Sequence, residues 1–483
     1  MSFLPGGRSV PIVRSLAVTT LRNIAVGAVV ATASLMTACR PQPEISSVIA
    51  AEAPDGAVDA RVLAATVPWT DPRRSLSRAT LVTDPSVVVG PLDDAALPRK
   101  ILAVDGRRPG DPGYPLVEWT VARHPRTGRS WASADAPLSV PDPPPIHTVA
   151  AVGDIMPGRG FGALLIGPDG VNEALGDVAP LLAGADLLIG NLETAVTEST
   201  AAVTKSYNFK VSETVLRAVV DLGFDVFHLA NNHGWDYGEG GFLDTLEALR
   251  RSGVGFSGAG IDLDAAAFPW ETVLRDPTAG RGGTGETPVR IVSLGAYERE
   301  RNGFDGSVSA AAGPGKPGVL WDRPENEERI RALLNSDDFT IVTVHGGYEW
   351  EQAPRSDVRE RYRRYVDWGA DLVLAHHPHV LQGMELYRES LIAYSLGNFI
   401  FPGMTGWYTG EETGILEIGL LEGRIVSVDF RPVRIAGTRL RRAEGEGIDE
   451  RFWEMTRDLA EPDEATSAQN LAGSGRRHRL PST

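Results

Sequence analysis

The feature that most constrains the fold is a regular alternation of apolar runs and amphipathic stretches between about residues 146 and 435. Short apolar runs bounded by turn signals predict buried strands, whereas apolar residues recurring every three or four positions predict helices. The predicted strands are Thr148–Val152, Asp186–Ile189, Asp225–Ala230, Val289–Leu294, Phe339–Val344, Asp371–Ala375 and Leu391–Ser395. The predicted helices are Asn172–Leu182, Ser212–Leu222, Gly241–Arg251, Glu325–Asn335 and Asp357–Trp368. Such alternation predicts a layered α/β domain with a largely parallel sheet.

An antiparallel portion is expected to complete this domain. Gly414–Leu421 and Arg424–Val433 flank Glu422-Gly423, which is a hairpin signal. The predicted fold class is therefore α/β, a layered sandwich of mixed sheets with flanking helices, spanning residues 146–440. The residues after about Leu459 are rich in Glu, Ala, Ser, Gly and Arg, and we expect residues 441–483 to form a C-terminal tail that is largely disordered.

The region before the α/β domain has a different composition. Residues 39–60 mix Pro, Ala, Glu and Asp with little periodicity, which is typical of a tether. Residues 61–145 contain short candidate strands at 79–82, 86–89 and 116–121 among many Pro and Gly, and they end in a run of prolines at 141–145. We expect a small β-rich module followed by a stiff linker, because consecutive prolines hold an extended chain.

Residues 1–38 have the features of a secretory signal. Three arginines precede an uncharged, apolar run at residues 23–36, which is too short for a comfortable transmembrane helix. Small residues precede Cys39, the only cysteine of the chain, and this arrangement resembles the lipobox of bacterial lipoproteins. We predict lipidation of Cys39 and attachment to the extracytoplasmic face of the cell membrane. The alternative is an ordinary signal peptide with an incidental cysteine.

Composition excludes some classes of function. The formal net charge of −16 over 483 residues argues against a general nucleic-acid partner, because phosphate contacts need a basic surface. With its only thiol at the predicted anchor, the mature domain can form no internal disulfide. Its stability is therefore expected to come from packing.

Polar side chains follow six of the predicted strands, where ligands of open α/β sheets bind. They are Asp154, Asn191 with Glu193, Asn231-Asn232-His233, His345, His376-His377-Pro378-His379 and Asn398. Carboxylate, amide and imidazole groups suit manganese, zinc or iron, and a carboxylate in the middle of the set could bridge two ions. Taken singly, Asp154 could cap a turn, Glu193 could be a surface acid, His345 could be a core histidine and Asn398 a turn residue. Three histidines among four residues are harder to explain without a metal.

These segments resemble, in order, the motifs of the CapA family of capsule, or poly-gamma-glutamate, biosynthesis proteins, which are related in fold to calcineurin-like metallophosphoesterases. The matching segments are Gly153–Met156, Gly190–Glu193, Asn231–Asp236, His345–Glu349, His376–Gln382 and Ser395–Phe399. The resemblance covers about residues 146–435 and implies a metallophosphoesterase-like sandwich.

The resemblance also implies roles for individual residues. It implies one or two divalent metal ions held by Asp154, Glu193, Asn232, His345, His377 and His379. His233 would be the general acid, with Asp236 beside it in the catalytic group. Met156 stands where the related phosphoesterases have a second ligand histidine, which leaves one metal position short of a ligand. We expect substrate contacts from Arg159, Lys205, Lys210, Glu349 and Asn398.

Three hypotheses about function remain open at this stage. The first is a surface-anchored protein for biosynthesis or assembly of an anionic capsule polymer, such as poly-gamma-glutamate, working beside a membrane-bound synthase complex. The second is a metal-dependent phosphoesterase or gamma-amide hydrolase, with His233 as general acid. The third is a surface scaffold without catalysis.

Overall fold

The computed structural model describes residues 31–33, 44–49, 57–77, 80, 84–92, 95, 97, 99–105, 107–109, 114, 116–123, 145–275, 286–300 and 303–460. The chain divides into two compact units, Met1–Val62 with Gly113–Pro141 and Leu63–Pro112 with Asp142–Thr483. The division falls within one strand, between Val62 and Leu63.

Seven strands precede the α/β region: β1 (Ala31–Ala33), β2 (Glu44–Ile49), β3 (Ala57–Pro68), β4 (Ser75–Leu76), β5 (Val88–Pro91), β6 (Arg99–Val104) and β7 (Val117–Arg123). In the smaller unit, β2 pairs antiparallel with β1 and β7, and β7 pairs antiparallel with the first part of β3. In the larger unit, the second part of β3 pairs antiparallel with β5 and β6, and β4 pairs parallel with β6.

This arrangement differs from the predicted N-terminal organisation. The predicted tether at 39–60 contains β2 and the start of β3, because its Ile and Val residues favour strand pairing. The predicted module at 61–145 is divided between the two units. Trp69 belongs to the same hydrophobic cluster as Val149 and Phe430, and buried Lys100 donates to the Val428 carbonyl at 2.9 Å. These contacts join residues 63–112 to the α/β region.

The α/β region contains eighteen strands and ten helices among the described residues. The strands are β8 (His147–Ile155), β9 (Leu187–Leu192), β10 (Ala195–Val196), β11 (Lys210–Val211), β12 (Val226–His228), β13 (Gly255–Ser257), β14 (Ala259–Gly260), β15 (Trp270–Leu274), β16 (Thr287–Tyr297), β17 (Gly318–Val319), β18 (Phe339–Gly347), β19 (Leu372–His376), β20 (Leu381–Tyr387), β21 (Ser390–Leu396), β22 (Asn398–Ile400), β23 (Glu412–Leu421), β24 (Arg424–Ala436) and β25 (Arg439–Arg442). The helices are α1 (Phe161–Leu165), α2 (Gly170–Leu175), α3 (Ala179–Leu182), α4 (Glu213–Val220), α5 (Gly238–Ser252), α6 (Leu263–Ala266), α7 (Gly306–Ser309), α8 (Glu327–Leu334), α9 (Ser356–Trp368) and α10 (Ile448–Ala460). Short 3-10 helices lie at Gly176–Val178 and Pro324–Asn326.

Two mixed sheets form the body of this region. The first has the order β13-β12-β9-β8-β23-β24-β25, with β22 also beside β8. Its strands from β13 to β8 are parallel, and β23 to β25 continue it antiparallel. The second has the order β15-β16-β18-β19-β21-β20, in which four central parallel strands lie between antiparallel edge strands.

Alternating side chains show how these sheets are layered. Ile189 of β9 and Ile341 of β18 belong to one buried cluster, so the inner faces of the two sheets pack together. Their neighbours Leu188 and Val342 face outwards, into clusters that include side chains of α4 and α5 on one side and of α8 and α9 on the other. The period of two along each strand produces this division. The predicted α/β sandwich of mixed sheets with flanking helices is confirmed.

The predicted strands agree with the structure, whereas one predicted helix and the predicted C-terminal tail differ from it. All seven predicted strands of the parallel part are present as β8, β9, β12, β16, β18, β19 and β21, and the predicted hairpin is β23–β24. The predicted helix Asn172–Leu182 is instead α2, a 3-10 turn and α3, because Gly176 takes a positive φ of 49°. The predicted largely disordered tail is wrong over its first part: β25 and α10 occupy it, and Ile448, Phe452 and Trp453 are buried at helical spacing. Cys39 and residues 461–483 lie outside the described residues.

None of the helices in the described part of the chain combines the length and apolar character that crossing a bilayer requires.

Candidate metal centre

Three acidic and imidazole side chains meet where the two sheets end. Asp154 lies near the end of β8, Glu193 follows β9 directly, and His345 lies in β18. Each offers a ligand atom, and these atoms lie within 4.8 Å of one another. All three residues are fully buried. Parallel strands bring their carboxyl ends to one edge, so distant segments of the sequence converge here.

Amide and imidazole groups surround His345. Its Nε2 lies 3.0 Å from Asn232 Oδ1, 3.1 Å from His377 Nδ1 and 3.6 Å from Glu193 Oε1. Ligands bound about 2.1 Å from one cation are separated by roughly these distances. The four donor atoms therefore form a group that could hold a divalent ion.

A second group shares Glu193. His379 Nε2 lies 3.9 Å from Glu193 Oε1, and His379 Nδ1 lies 3.1 Å from Asp154 Oδ2. His379 Nδ1 also lies 3.0 Å from Asn398 Oδ1. The two groups together bring the six predicted metal ligands to one place.

Backbone conformation in the histidine loop is unusual. His377 and His379 have φ of 100° and 58°, in the left-handed region that residues with a side chain rarely occupy. Gly153 has a related constraint, because a Cβ there would lie 2.1 Å from the Gly397 carbonyl oxygen. Such strain is typical of functional sites, where the surrounding structure holds it.

The buried carboxyl groups of Glu193 and Asp154 favour positive charge in the centre. Burial, reinforced by Asp154, holds the pKa of Glu193 well above its ordinary value. Burial alone would lower the pKa of His379, but the Glu193 and Asp154 carboxylates raise it to about 10, so a metal bound by His379 would have to displace its proton. Burial lowers the pKa of His345, and that of His377 to about 4, so these rings are neutral as metal ligation requires. Both Glu193 oxygens and Asp154 Oδ2 are buried without a hydrogen-bond partner. A bound cation would satisfy them, so the residues fit a metal.

His233 faces the same centre from the loop after β12. Its Nε2 lies 3.9 Å from Glu193 Oε1, and its Nδ1 lies 2.7 Å from Asp236 Oδ2. Asp236 also accepts hydrogen bonds from Lys205 Nζ at 2.7 Å and from the Phe209 N–H at 2.6 Å. Asp236 is therefore a positioning residue, because it fixes the imidazole through Nδ1 and is itself held by Lys205 and the Phe209 N–H.

The predicted substrate contacts fall into two sets. Arg159 and Glu349 are exposed at the entrance: the Arg159 guanidinium lies 5.1 Å from the Phe209 ring, and Glu349 precedes Trp350, whose ring lies 5.4 Å from that of His379. Lys205 is buried, and it bonds the Asn232 carbonyl and pairs with Asp236 and Glu300. Lys210 donates to the Ser199 carbonyl at 2.6 Å. Asn398 is buried and holds His379. The last three are placed to support the structure.

Four polar residues near the centre were not among the predicted site residues. Asn191 donates to Asp154 Oδ1 at 2.8 Å, and Asn231 donates to Asn191 Oδ1 at 2.9 Å. His376 Nδ1 lies 3.4 Å from Asp154 Oδ1, and His228 Nδ1 lies 2.8 Å from Thr343 Oγ1. The two asparagines lie within the recognised segments, which could have indicated them. His228 lies inside an apolar run, where nothing distinguishes it from a core histidine.

A family model provides the deciding comparison. The model described as bacterial capsule synthesis protein PGA_cap matches residues 148–403. The chain belongs to this capsule synthesis family. All six predicted ligand positions lie inside the matched segment, and the resemblance to CapA proteins is thereby confirmed.

Relatives within the capsule synthesis family are moderately similar. The capsule biosynthesis protein CapA of Bacillus anthracis is 28% identical over 60% of this chain and 67% of its own length. The PGA biosynthesis protein CapA of Bacillus subtilis is 29% identical over 60% of this chain and 72% of its own length. A probable polyglutamine synthesis accessory protein of Mycobacterium tuberculosis is 29% identical over 53% of this chain and 68% of its own.

Solved structures are more distant. A novel phosphatase of Mycoplasma pneumoniae matches with a TM-score of 0.38 and 13% identity, covering 61% of this chain and 95% of its own. A hypothetical protein of Thermus thermophilus matches with a TM-score of 0.36 and 17% identity, covering 60% of this chain and all of its own.

Proposed function

We propose that this protein is a surface-anchored, metal-dependent hydrolase in the biosynthesis of an anionic capsule polymer, such as poly-gamma-glutamate. The observation that carries the proposal is the buried Asp154–Glu193–His345 group. Its carboxylate oxygens without hydrogen-bond partners would be satisfied by a bound cation. Membership of the capsule synthesis family supports a role in capsule biosynthesis. The bond cleaved would be a phosphoester or a gamma-amide.

The residues of the centre divide into metal ligands and a proton donor. Asp154, Glu193, Asn232, His345, His377 and His379 would hold one or two divalent ions, of manganese, zinc or iron. Such an ion, when bound, lowers the pKa of water and polarises a phosphoryl or carbonyl oxygen. Met156 is buried, and its sulfur lies 3.3 Å from the Gly158 N–H. It therefore replaces the second histidine of the first motif with an inert side chain.

His233 would supply the leaving group with its proton. The Asp236 carboxylate accepts the Nδ1 proton and holds the ring so that Nε2 points towards Glu193. Burial lowers the pKa of His233 to about 4, against the opposing effect of Asp236. A polyanionic substrate would bring negative charge to the entrance and raise the fraction of protonated imidazole.

The predicted lipoprotein leader and the capsule synthesis family support a proposal for location and partners. The proposed lipid at Cys39 would keep the α/β region outside the cytoplasm, where a capsule polymer leaves its synthase. A membrane-bound synthase complex is the proposed protein partner, and Arg159 is the exposed cation at the entrance that would meet the polymer.

Complementation of a deletion strain tests the proposal. Strains would carry the wild-type gene, Asp154→Ala with His377→Ala, or the control Phe268→Ala at an exposed position, and the amount and chain length of surface polymer would be measured. We expect the double variant to behave like the deletion and the control like the wild type. Full complementation by the double variant would refute the hydrolase and favour a surface scaffold without catalysis. Polymer unchanged in the deletion strain would refute the pathway.

A further inference from the structure

A pocket of about 300 Å³ lies beside the metal centre, where β16 and β18 end. Tyr297 and Gly347, the last residues of these two strands, both line it. The Tyr297 ring packs on His345 with ring centroids 5.7 Å apart and on His377 at 6.0 Å. One aromatic ring therefore separates the pocket from two proposed metal ligands. Among the described residues that line the pocket, none is a proposed metal ligand or proton donor.

The Tyr297 side chain brings an unsatisfied polar group to this pocket. It is 5% exposed, and within the described part of the chain its hydroxyl has no hydrogen-bond partner. The hydroxyl lies against Gly306, where a Cβ would be only 2.1 Å from its oxygen. Asp305 and Ser307, on either side of Gly306, line the pocket, and Asp305 Oδ1 accepts from the Ser307 N–H at 3.1 Å. Because buried hydroxyl groups are nearly always hydrogen-bonded, we expect a ligand to satisfy this one.

The groups around the hydroxyl favour a positively charged ligand. Burial raises the pKa of Tyr297 well above its ordinary value, and three nearby carboxylates raise it further. These carboxylates belong to Glu300, Asp236 and Asp305. Lys205 pairs with the first two, whereas no described residue forms an ion pair with Asp305. A neutral hydroxyl beside such a carboxylate offers oxygen acceptors that suit an ammonium group with its three N–H donors.

Two arginines supply the opposite charge in the same pocket. Arg299 is exposed and donates through Nε to the Gly303 carbonyl at 3.2 Å. Arg361 donates through Nη1 to the Ala296 carbonyl at 3.0 Å, and its Nε lies 3.7 Å from Asp322. A guanidinium has five N–H donors, so each arginine retains donors for a carboxylate. The pocket therefore matches a small group that carries an ammonium and a carboxylate together.

We propose that this pocket binds the amino-terminal unit of a gamma-linked glutamate chain. The ammonium lies between the Tyr297 hydroxyl and Asp305, and the alpha-carboxylate faces Arg299 and Arg361. Only the terminal unit fits, because the nitrogen of every other unit is part of an amide and carries no charge. This inference rests on the proposed function and narrows its substrate to the end of a gamma-amide-linked polymer.

Binding at the end of the chain determines the product. Water adds to the gamma-carbonyl carbon of the bound unit, the carbon–nitrogen bond breaks, and the nitrogen leaves with a proton from His233. The new carboxyl group gives up the proton that restores His233. Each cycle releases one free glutamate, and the shortened chain carries a new amino terminus.

Calorimetric titration of the purified, metal-free full-length protein tests the proposal. The probes are a gamma-linked glutamate tetramer with a free amino terminus and the same tetramer acetylated there. We expect the free tetramer to bind about tenfold more tightly than the acetylated one, because acetylation removes the ammonium. Tyr297→Phe and Asp305→Asn should each weaken binding of the free tetramer about tenfold.

Tyr362→Phe is the matched control. The Tyr362 hydroxyl is also buried without a partner among the described residues, but it does not line the pocket. This variant should leave both affinities unchanged. All three variants should melt near the wild-type temperature, because phenylalanine keeps the ring and asparagine still caps α7.

Product analysis with metal-loaded protein separates this inference from the proposed hydrolase. Release of single glutamates from the free tetramer, and none from the acetylated one, would support both. Equal or absent binding of the two tetramers, binding unaffected by Tyr297→Phe, or equal hydrolysis of the acetylated tetramer would overturn the assignment of the pocket, whatever the metal content. Selective binding by a protein that takes up no metal would support the pocket and refute the hydrolase.

Discussion

Glu193 is a fully buried carboxylate with neither oxygen hydrogen-bonded. Burial and the Asp154 carboxylate raise the pKa of Glu193 well above its ordinary value, so the empty site disfavours the charged carboxylate, whereas a bound cation would favour it. We therefore predict that Glu193→Gln weakens metal binding without weakening the stability of the metal-free protein. The variant should lose most of its affinity for divalent metal, while its melting temperature in EDTA should equal or exceed that of the wild type.

Calorimetry with and without metal measures this prediction. Metal at about a hundredfold excess over its Kd should stabilise the wild type by about 2.7 kcal/mol, and the Glu193→Gln variant by much less. Phe268→Ala, at an exposed position, serves as a control that should respond like the wild type. Equal stabilisation of wild type and Glu193→Gln would show that Glu193 is no ligand.

Asp236 holds the proposed proton donor at 2.7 Å. Asp236→Asn keeps the shape but no longer fixes the proton on His233 Nδ1, so we predict that kcat falls by roughly two to four orders of magnitude. KM and metal content should stay near their wild-type values. The assay is hydrolysis of bis(p-nitrophenyl) phosphate and of a gamma-glutamyl amide by metal-loaded protein. A fall in metal content instead would mean that Asp236 supports the ligands.

Single residues differ in how well the sequence indicates them. Asp154 and His345 end apolar runs, so their position at a sheet edge could be predicted. The engagement of Lys205 by Asp236 and Glu300 could not, since these residues come from three separate segments. The burial of Asn398 against His379 likewise depends on how the loops pack.

Among the elements, α10 carries an unexpected part of the core. Phe452 is fully buried and stacks on Phe430 of β24, with ring centroids 4.0 Å apart. We predict that Phe452→Ala lowers the free energy of unfolding by about 3–5 kcal/mol, the usual cost of removing a buried aromatic ring. Chemical denaturation measures it, with Phe268→Ala as the exposed control. A loss below about 1 kcal/mol would mean that α10 does not pack as described.

Helix α10 shows why the prediction of disorder was wrong for the first part of the C-terminal tail. Glu, Arg and Gly dominate residues 441–460, yet Ile448, Phe452 and Trp453 place their side chains on one face of α10. A few large apolar residues at helical spacing outweigh a polar average. The strands of the parallel part were easier, because each is an apolar run buried on both faces.

At the scale of the whole molecule, the anchor is a separate prediction. If Cys39 is lipidated, Cys39→Ala should leave the precursor unprocessed by the lipoprotein pathway or release the protein from membranes. Two or three acyl chains hold a protein firmly where one does so marginally. Fractionation with a globomycin control measures it. A membrane-bound alanine variant with unaltered processing would contradict the assignment.

Domain limits were the least predictable feature at this scale. The prolines at 141–145 indicated a boundary, but Trp69 and Lys100 pack in the core of the larger unit. Contacts between residues hundreds of positions apart leave no local pattern in the sequence. The α/β sandwich itself was predictable, because the period of its strands and helices is local.

The central claim is that these strand ends hold a catalytic metal, and anomalous diffraction from metal-loaded crystals tests it most directly. Data collected at the manganese, zinc and iron edges should show one or two peaks within ligand distance of Glu193, His345 and Asn232. Absence of any peak there after loading, or a peak held by other residues alone, would contradict the account.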